Sequence, residues 1–160
     1  MDRLWAPWRQ TYVSTASTDA NSDCFICRGL GEQKDRKNHI VHRGLRSAVL
    51  LNRYPYNNGH LMVAPLAHKG SLEEFSPEEM LDLQETVRRC VRLLTDQMKP
   101  EGFNVGLNLG RVAGAGLPGH LHWHVVPRWN GDTNFMPVLS DTKVISQSLD
   151  ALYDLLIGKL

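Results

Sequence analysis

The stretch that decides the fold reads His120-Leu121-His122-Trp123-His124-Val125-Val126, and it holds three of the seven histidines of this 160-residue chain. The histidines occupy every second position, with apolar residues between them. Successive side chains of a β-strand point to opposite faces of a sheet. The spacing therefore predicts a strand that carries three imidazoles on one face and packs its apolar face on a core. Solvent faces seldom use histidine, so the row indicates a functional site.

Four further strands are predicted outward from this one, each from a short apolar run between turn residues. The five strands are expected at His39–Arg43, Leu45–Asn52, Leu61–Ala64, Phe103–Leu109 and His120–Pro127. Arg43-Gly44 marks the turn between the first two. A short helical turn is expected after Cys27. These elements predict an α+β fold with a five-stranded, mainly antiparallel sheet in mostly meander order.

The clearest helix is predicted from Pro77 to about Met98. Ser76 is its expected N-cap and Glu79 completes a capping box. Its apolar stripe is Met80, Leu83, Val87, Cys90, Val91, Leu94 and Met98. We expect this helix to cover the Trp123 face of the sheet and to leave the histidine face lining a cleft. An amphipathic C-terminal helix is expected from about Ser146 to Lys159.

Composition places the chain among ordinary globular proteins. The apolar fraction is 42%, the charged fraction 22% and the net charge +1, so neither nucleic acid nor a membrane is an expected partner. Residues 1–23 are expected to form an aromatic arm and loop, and residues 24–160 a single domain. The first residues lack an apolar signal core, so a cytoplasmic protein is expected. Three cysteines are too few for a disulfide framework, and Cys90 is expected in the core.

A glycine-rich loop, Gly110 to Gly119, directly precedes the histidine row. Glycines let backbone N–H groups approach a phosphate closely. Neutral imidazole is a nucleophile and a general base. A histidine row beside a phosphate-binding loop predicts transfer of a phosphorus group through a covalent histidine intermediate.

The same residues resemble the histidine triad family of nucleotide-binding enzymes, whose signature alternates histidines with apolar residues. The resemblance covers roughly residues 24–128, and Asn58-Gly59-His60-Leu61-Met62-Val63-Ala64-Pro65 is similar to the family's second conserved strand. Three further segments resemble its bacterial diadenosine tetraphosphate phosphorylase-like branch: Trp5-Ala6-Pro7-Trp8-Arg9, Asn57-Asn58-Gly59-His60 and residues 127–135.

The resemblance implies a role for each matching residue. His122 matches the nucleophile that attacks an α-phosphate, His124 the residue that hydrogen-bonds the phosphate and assists the leaving group, and His60 a supporting histidine. Asn52 matches the ribose contact. Asn108 and the stretch Gly114, Ala115, Gly116 and Leu117 match the phosphate-binding segment. A homodimer is also implied, and it fits the aromatic arm.

One departure from the family pattern concerns positions 116 and 117. Better-known branches carry Gln, Ser or Thr there, whereas this chain has Gly116 and Leu117, so backbone N–H groups must bind the phosphate. Water or inorganic phosphate could therefore release the nucleotide. A phosphorylase needs a second anion site, for which Arg111 and Lys69 are candidates, although exposed charges explain both more simply.

Cys24-x-x-Cys27 supplies half of a structural zinc site, which takes four N or S ligands. His68 and His120 are the candidates for the other half, and the resemblance supports this choice. The alternative is a reduced dithiol near the surface. Phe25 and Tyr54 are candidates for the wall of a base pocket, with core packing as the alternative.

The favoured function is a nucleotidyl transferase or hydrolase that cleaves dinucleoside polyphosphates such as diadenosine tetraphosphate, by phosphorolysis. The alternatives are a nucleotide-binding regulatory module and a nucleoside phosphoramidate hydrolase. A catalytic metal held by all three histidines is disfavoured, because each i, i+2 step along a strand separates them by about 7 Å.

Overall fold

The computed structural model describes residues 24–140 and 142–160, so the arm expected at residues 1–23 lies outside the described residues. The sheet has five strands: β1 (Ile40–Arg43), β2 (Ser47–Leu51), β3 (Leu61–Pro65), β4 (Gly102–Leu107) and β5 (Trp123–Arg128). Their spatial order is β1-β2-β3-β5-β4, and every neighbouring pair is antiparallel. The predicted α+β class and antiparallel sheet are confirmed.

In the described part of the chain, four α-helices accompany the sheet: α1 (Phe25–Glu32), α2 (Pro77–Met98), α3 (Met136–Ser140) and α4 (Leu149–Leu156). The start of α2 is as predicted, because Ser76 Oγ accepts from the Glu79 N–H and the Glu79 carboxylate accepts from the Ser76 N–H at 2.8 Å. Among the described helices, none is long and apolar enough to cross a membrane.

Helix α2 covers one face of the sheet and forms the main core there. Leu83, Cys90 and Leu94 of α2 are buried in the same cluster as Val63 and Trp123. Cys90 is thus the core residue that the sequence predicted. On the opposite face a smaller cluster joins α1 to β1, β2 and β3; its buried members are Ile26, Ile40, Ala48, Leu50, Met62 and Ala64. The predicted packing of this long helix on the Trp123 face is confirmed.

The predicted start of the fifth strand was wrong by three residues. β5 begins at Trp123, because the N–H groups of His120 and Leu121 donate to the carbonyls of Leu117 (3.3 Å) and Lys69 (2.7 Å) instead of to a sheet partner. His120 and His122 therefore precede the strand, and only His124 lies on it. The three imidazoles do not form a single row.

Other differences are smaller. β2 is shorter than predicted at both ends, β4 ends at Leu107, and α4 spans less than the predicted C-terminal helix. α1 begins at Phe25, before Cys27, and the short helix α3 was not predicted. The strand order departs from a meander because β5 pairs between β3 and β4.

Candidate functional site

His60, which directly precedes β3, and His124 of the neighbouring strand β5 form the centre of the site. Nδ1 of His60 accepts a hydrogen bond from the backbone N–H of Tyr56 at 3.0 Å, so its proton must reside on Nε2 in the neutral ring. That Nε2 lies 2.9 Å from Nδ1 of His124 and donates to it. His124 therefore carries its own proton on Nε2. Backbone geometry thus makes His124 a hydrogen-bond donor at Nε2.

His122 has the opposite tautomer. Its Nδ1 lies 2.9 Å from the backbone carbonyl oxygen of His120, and a carbonyl can only accept, so Nδ1 bears the proton. The lone pair is left on Nε2. The His122 and His124 rings are 5.0 Å apart between centroids. A nucleophilic nitrogen and a donor N–H are therefore neighbours.

Burial keeps these imidazoles uncharged. It lowers the pKa of His60 to about 3, and repulsion from His124 and His122 adds to the effect. It lowers the pKa of His124 to about 4 and also depresses the pKa of His122. All three rings are neutral at pH 7, the form in which imidazole is a nucleophile.

A second cluster joins Cys24, Cys27, His68 and His120, the four residues predicted to bind metal. Nδ1 of His120 lies 3.3 Å from Sγ of Cys24 and 3.4 Å from Sγ of Cys27, and Nδ1 of His68 lies 3.3 Å from the latter sulfur. The four ligand atoms lie within 4.8 Å of one another.

This donor set fits a tetrahedral metal ion. Metal bonds of about 2.0–2.3 Å imply tetrahedral edges of roughly 3.3–3.8 Å, which the N–S distances already match. Nε2 of His120 donates to the Pro65 carbonyl at 2.9 Å, which leaves Nδ1 unprotonated and free to ligate. Burial and the Cys24 thiol raise the pKa of Cys27 to about 11, and a cation would favour the thiolate.

The predicted ribose contact, Asn52, lies beside the histidine pair and is followed by Tyr54. Nδ2 of Asn52 lies 3.4 Å from Nε2 of His60, and its Oδ1 accepts from the Tyr54 N–H at 2.8 Å. Phe25 and Tyr54 are 43% and 69% exposed, which excludes core packing as the explanation for either side chain.

The predicted phosphate-binding loop contains both satisfied and available donors. Asn108 donates to the Gly114 carbonyl at 3.3 Å, and the N–H groups of Gly114 and Ala115 donate to Arg111 and Gly110. Within residues 24–140 and 142–160, the N–H groups of Gly116 and Leu117 have no protein acceptor. Both N–H groups are available as donors to an anion.

The two candidate cations for a second anion site differ in their surroundings. Lys69 forms an ion pair with Glu79 at 2.6 Å, which ties the loop after β3 to the start of α2. Arg111 is exposed at the first position of a short 3₁₀ turn. The simpler explanation for Lys69 is therefore an internal ion pair with Glu79. It is not the exposed charge that the sequence suggested.

Sequence reasoning missed the backbone groups that orient the site. The Tyr56 N–H and the carbonyls of His120 and Pro65 fix three histidine tautomers. Every residue has such groups, so only the fold shows which of them meet an imidazole. The sequence indicated Tyr56 only weakly, as an aromatic residue four positions before His60. The centroid of its ring lies 4.6 Å from that of the His60 ring.

A comparison with solved structures and a comparison with protein-family models indicate the same class of protein. A solved structure described as a Zn-bound histidine triad family protein from Mycobacterium smegmatis has a similar fold, with a TM-score of 0.68 and 22% identity over 86% of this chain and 92% of that one. The HIT domain model matches residues 33–131. This chain belongs to the HIT domain family, which confirms the histidine triad resemblance.

Two curated relatives carry names that describe an activity. AP-4-A phosphorylase of Mycobacterium tuberculosis is 41% identical over 154 residues, which is 93% of this chain and 79% of that protein. The asymmetrical bis(5'-nucleosyl)-tetraphosphatase of Schizosaccharomyces pombe is 30% identical over 93 residues, or 58% of this chain and 50% of that protein.

Proposed function

We propose that this protein cleaves dinucleoside polyphosphates such as diadenosine tetraphosphate through a nucleotidyl-histidine intermediate on His122. The observation that carries the proposal is the hydrogen bond from His122 Nδ1 to the His120 carbonyl, which leaves the Nε2 lone pair available. The 41% identical AP-4-A phosphorylase supports the same substrate class.

In the first step, Nε2 of His122 attacks the α-phosphorus and the bond to the leaving oxygen breaks. The electron pair leaves with the nucleoside triphosphate, and AMP remains on Nε2. The ring then carries a positive charge, which the His120 carbonyl stabilises through the retained Nδ1 proton.

His124 acts in this step as a hydrogen-bond donor to the leaving oxygen. Because burial lowers its pKa to about 4, it is neutral at pH 7 and holds no spare proton for an acid role. A phosphate leaving group needs none, since its last ionisation lies near pH 6.

In the second step, inorganic phosphate attacks the same phosphorus, frees His122 and yields ADP. The name of the M. tuberculosis relative supports phosphate over water.

We assign binding of the substrate's phosphate oxygens to Asn108 and the N–H groups of Gly116 and Leu117, with Gly114 and Ala115 shaping the turn. Asn52 is assigned to the ribose, and Phe25 and Tyr54 to the base.

We further propose that Cys24, Cys27, His68 and His120 hold a structural zinc ion. Zinc would cross-link the N-terminus of α1 to the loops before β5 and after β3. The S2N2 donor set and the zinc-bound protein of similar fold support this choice. The homodimer, the cytoplasmic location and the single domain at residues 24–160 remain predictions from the sequence.

Product analysis with diadenosine tetraphosphate, with and without inorganic phosphate, tests the reaction. ADP plus ATP formed only with phosphate is the expected result. AMP plus ATP formed without phosphate would make the protein a hydrolase. A protein that binds the substrate without turning it over would be the regulatory module instead.

A further inference from the structure

A polar cavity adjoins the histidine pair and has no role in the mechanism above. Its volume is about 330 Å³, within the range of small-ligand sites. Its lining residues are Tyr56, Asn57, Asn104, Val126, Arg128, Asp132, Thr133 and Lys143.

The cavity lies on the same face of the sheet as His124. Side chains two residues apart on a strand share a face, so His124, Val126 and Arg128 are successive positions along one face of β5. On β4, Asn104 pairs with Val126 and Gly106 pairs with His124. The Tyr56 ring lies 5.6 Å from the His124 ring and also lines the cavity.

The surface between His124 and the cavity is open. Gly106 lies beside His124 in the sheet, and no heavy atom of residues 24–140 and 142–160 would lie within 4 Å of a Cβ added at Gly106. A strand rises about 3.3 Å per residue, so Arg128 lies about 13 Å along β5 from His124. A phosphate chain leaving from His124 has room to run over Gly106 toward Arg128.

The charges at the far end suit a polyphosphate. Arg128 contacts Asp132 through Nε (2.6 Å) and a terminal nitrogen (3.0 Å), and Lys143 donates to the Asp132 backbone carbonyl at 2.9 Å. The Asp132 side chain is 7% exposed, and Arg128 holds its pKa at about 2. Arg128, Lys143 and Asp132 together carry one net positive charge, and the hydrogen bonds to Asp132 hold the two cationic side chains in place.

We propose that this cavity is the subsite for the leaving nucleotide, whose distal phosphates contact Lys143 and Arg128. The subsite rests on the proposed function, because it takes the part of the substrate that departs when His122 attacks. It distinguishes a substrate with a long phosphate chain from one in which AMP carries a small leaving group.

The test compares two substrates that share the AMP half, diadenosine tetraphosphate and the 4-nitrophenyl ester of AMP. Lys143→Gln is expected to raise the KM for diadenosine tetraphosphate about tenfold relative to the KM for the 4-nitrophenyl ester, as loss of a charge-assisted hydrogen bond does. Gly106→Val, which fills the open surface, is expected to raise the same ratio. Lys37→Gln is the matched control, since Lys37 is 70% exposed beside Glu32 in the turn before β1.

A probe without any nucleoside gives an independent measurement. Inorganic tripolyphosphate is expected to compete with diadenosine tetraphosphate and to inhibit the unsubstituted protein more strongly than Lys143→Gln. Equal KM ratios in Lys143→Gln and Lys37→Gln, with normal turnover, would overturn the subsite alone. Absence of diadenosine tetraphosphate turnover in the unsubstituted protein would overturn the proposed function and the subsite together.

Discussion

His122 and His124 are two residues apart, yet backbone groups give them opposite tautomers. The His120 carbonyl accepts from His122 and so keeps the His122 proton on Nδ1, whereas the hydrogen-bond chain from the Tyr56 N–H through His60 leaves the His124 proton on Nε2. Main-chain atoms cannot be removed by ordinary substitution. The proton arrangement is therefore built into the fold, while the rings themselves remain open to mutation.

Substitution of His122 tests the nucleophile. His122→Asn removes the Nε2 lone pair, so kcat for diadenosine tetraphosphate is expected to fall by more than about a thousandfold. Nucleotide affinity, measured by titration calorimetry, is expected to change little. His39→Asn is the control, because His39 lies before β1 at φ 54, a conformation that Asn tolerates. Substantial turnover by His122→Asn would refute the covalent step.

Acid is expected to weaken the fold through the buried histidine pair. Unfolded histidine titrates near pH 6.5, whereas the folded pKa values are about 3 for His60 and about 4 for His124. Below pH 6.5 the unfolded chain binds protons that the folded chain does not, so stability is complete above 6.5 and falls toward those values. Each buried histidine contributes up to about 1.4 kcal/mol per pH unit.

Urea unfolding at pH 7.5, 6.5 and 5.5 measures this dependence. The free energy of unfolding should fall between the last two values, and His124→Gln should show a smaller fall. A stability that does not change from pH 7.5 to 5.5 would contradict the neutral pair.

At the scale of elements, the capping residues at its start predicted α2 as much as the apolar stripe along its length did. Ser76, Pro77 and Glu79 fix its start, and the stripe fixes the face that packs on the sheet. Start and end both agree with the structure, because capping is a local interaction. The start of β5 was missed because it depends on Lys69, whose carbonyl takes the Leu121 N–H from over fifty positions away.

Removal of the α2 cap gives a prediction at this scale. Ser76→Ala leaves the Glu79 N–H without its side-chain acceptor, so the free energy of unfolding is expected to fall by about 1 kcal/mol. Chemical denaturation measures the change. Ser140→Ala, at the exposed end of α3, should cost less than half as much. Equal losses in the two variants would count against the cap.

For the whole molecule, the metal cluster gives the clearest prediction. Purified protein is expected to contain about one zinc per chain, and Cys27→Ser is expected to lose it together with several degrees of Tm. Cys90→Ala should keep its zinc while losing stability, because Cys90 lies in the core and not in the cluster. Full zinc content in Cys27→Ser, measured by elemental analysis, would rule out the proposed ligand set.

The four ligand residues of that cluster were predicted from sequence, and the structure brings all four together. Cys24-x-x-Cys27 is a local pattern that supplies two donors, and the family resemblance indicated His68 and His120 as the other two. The leaving-nucleotide cavity could not be predicted in the same way. It depends on β4 and β5 lying side by side and on Gly106 opposite His124, a register that local sequence does not determine.

The place of β5 in the sheet has a consequence for how the protein folds. Leu61 of β3 pairs with Val125 of β5, so His60 and His124, which are 64 positions apart in sequence, meet only when this long-range strand pair forms. Contacts so distant in sequence form slowly, whereas α2 is made of local contacts. During refolding from urea, far-ultraviolet circular dichroism should therefore recover before enzymatic activity. Partly folded chains would then contain helix but have no enzymatic activity.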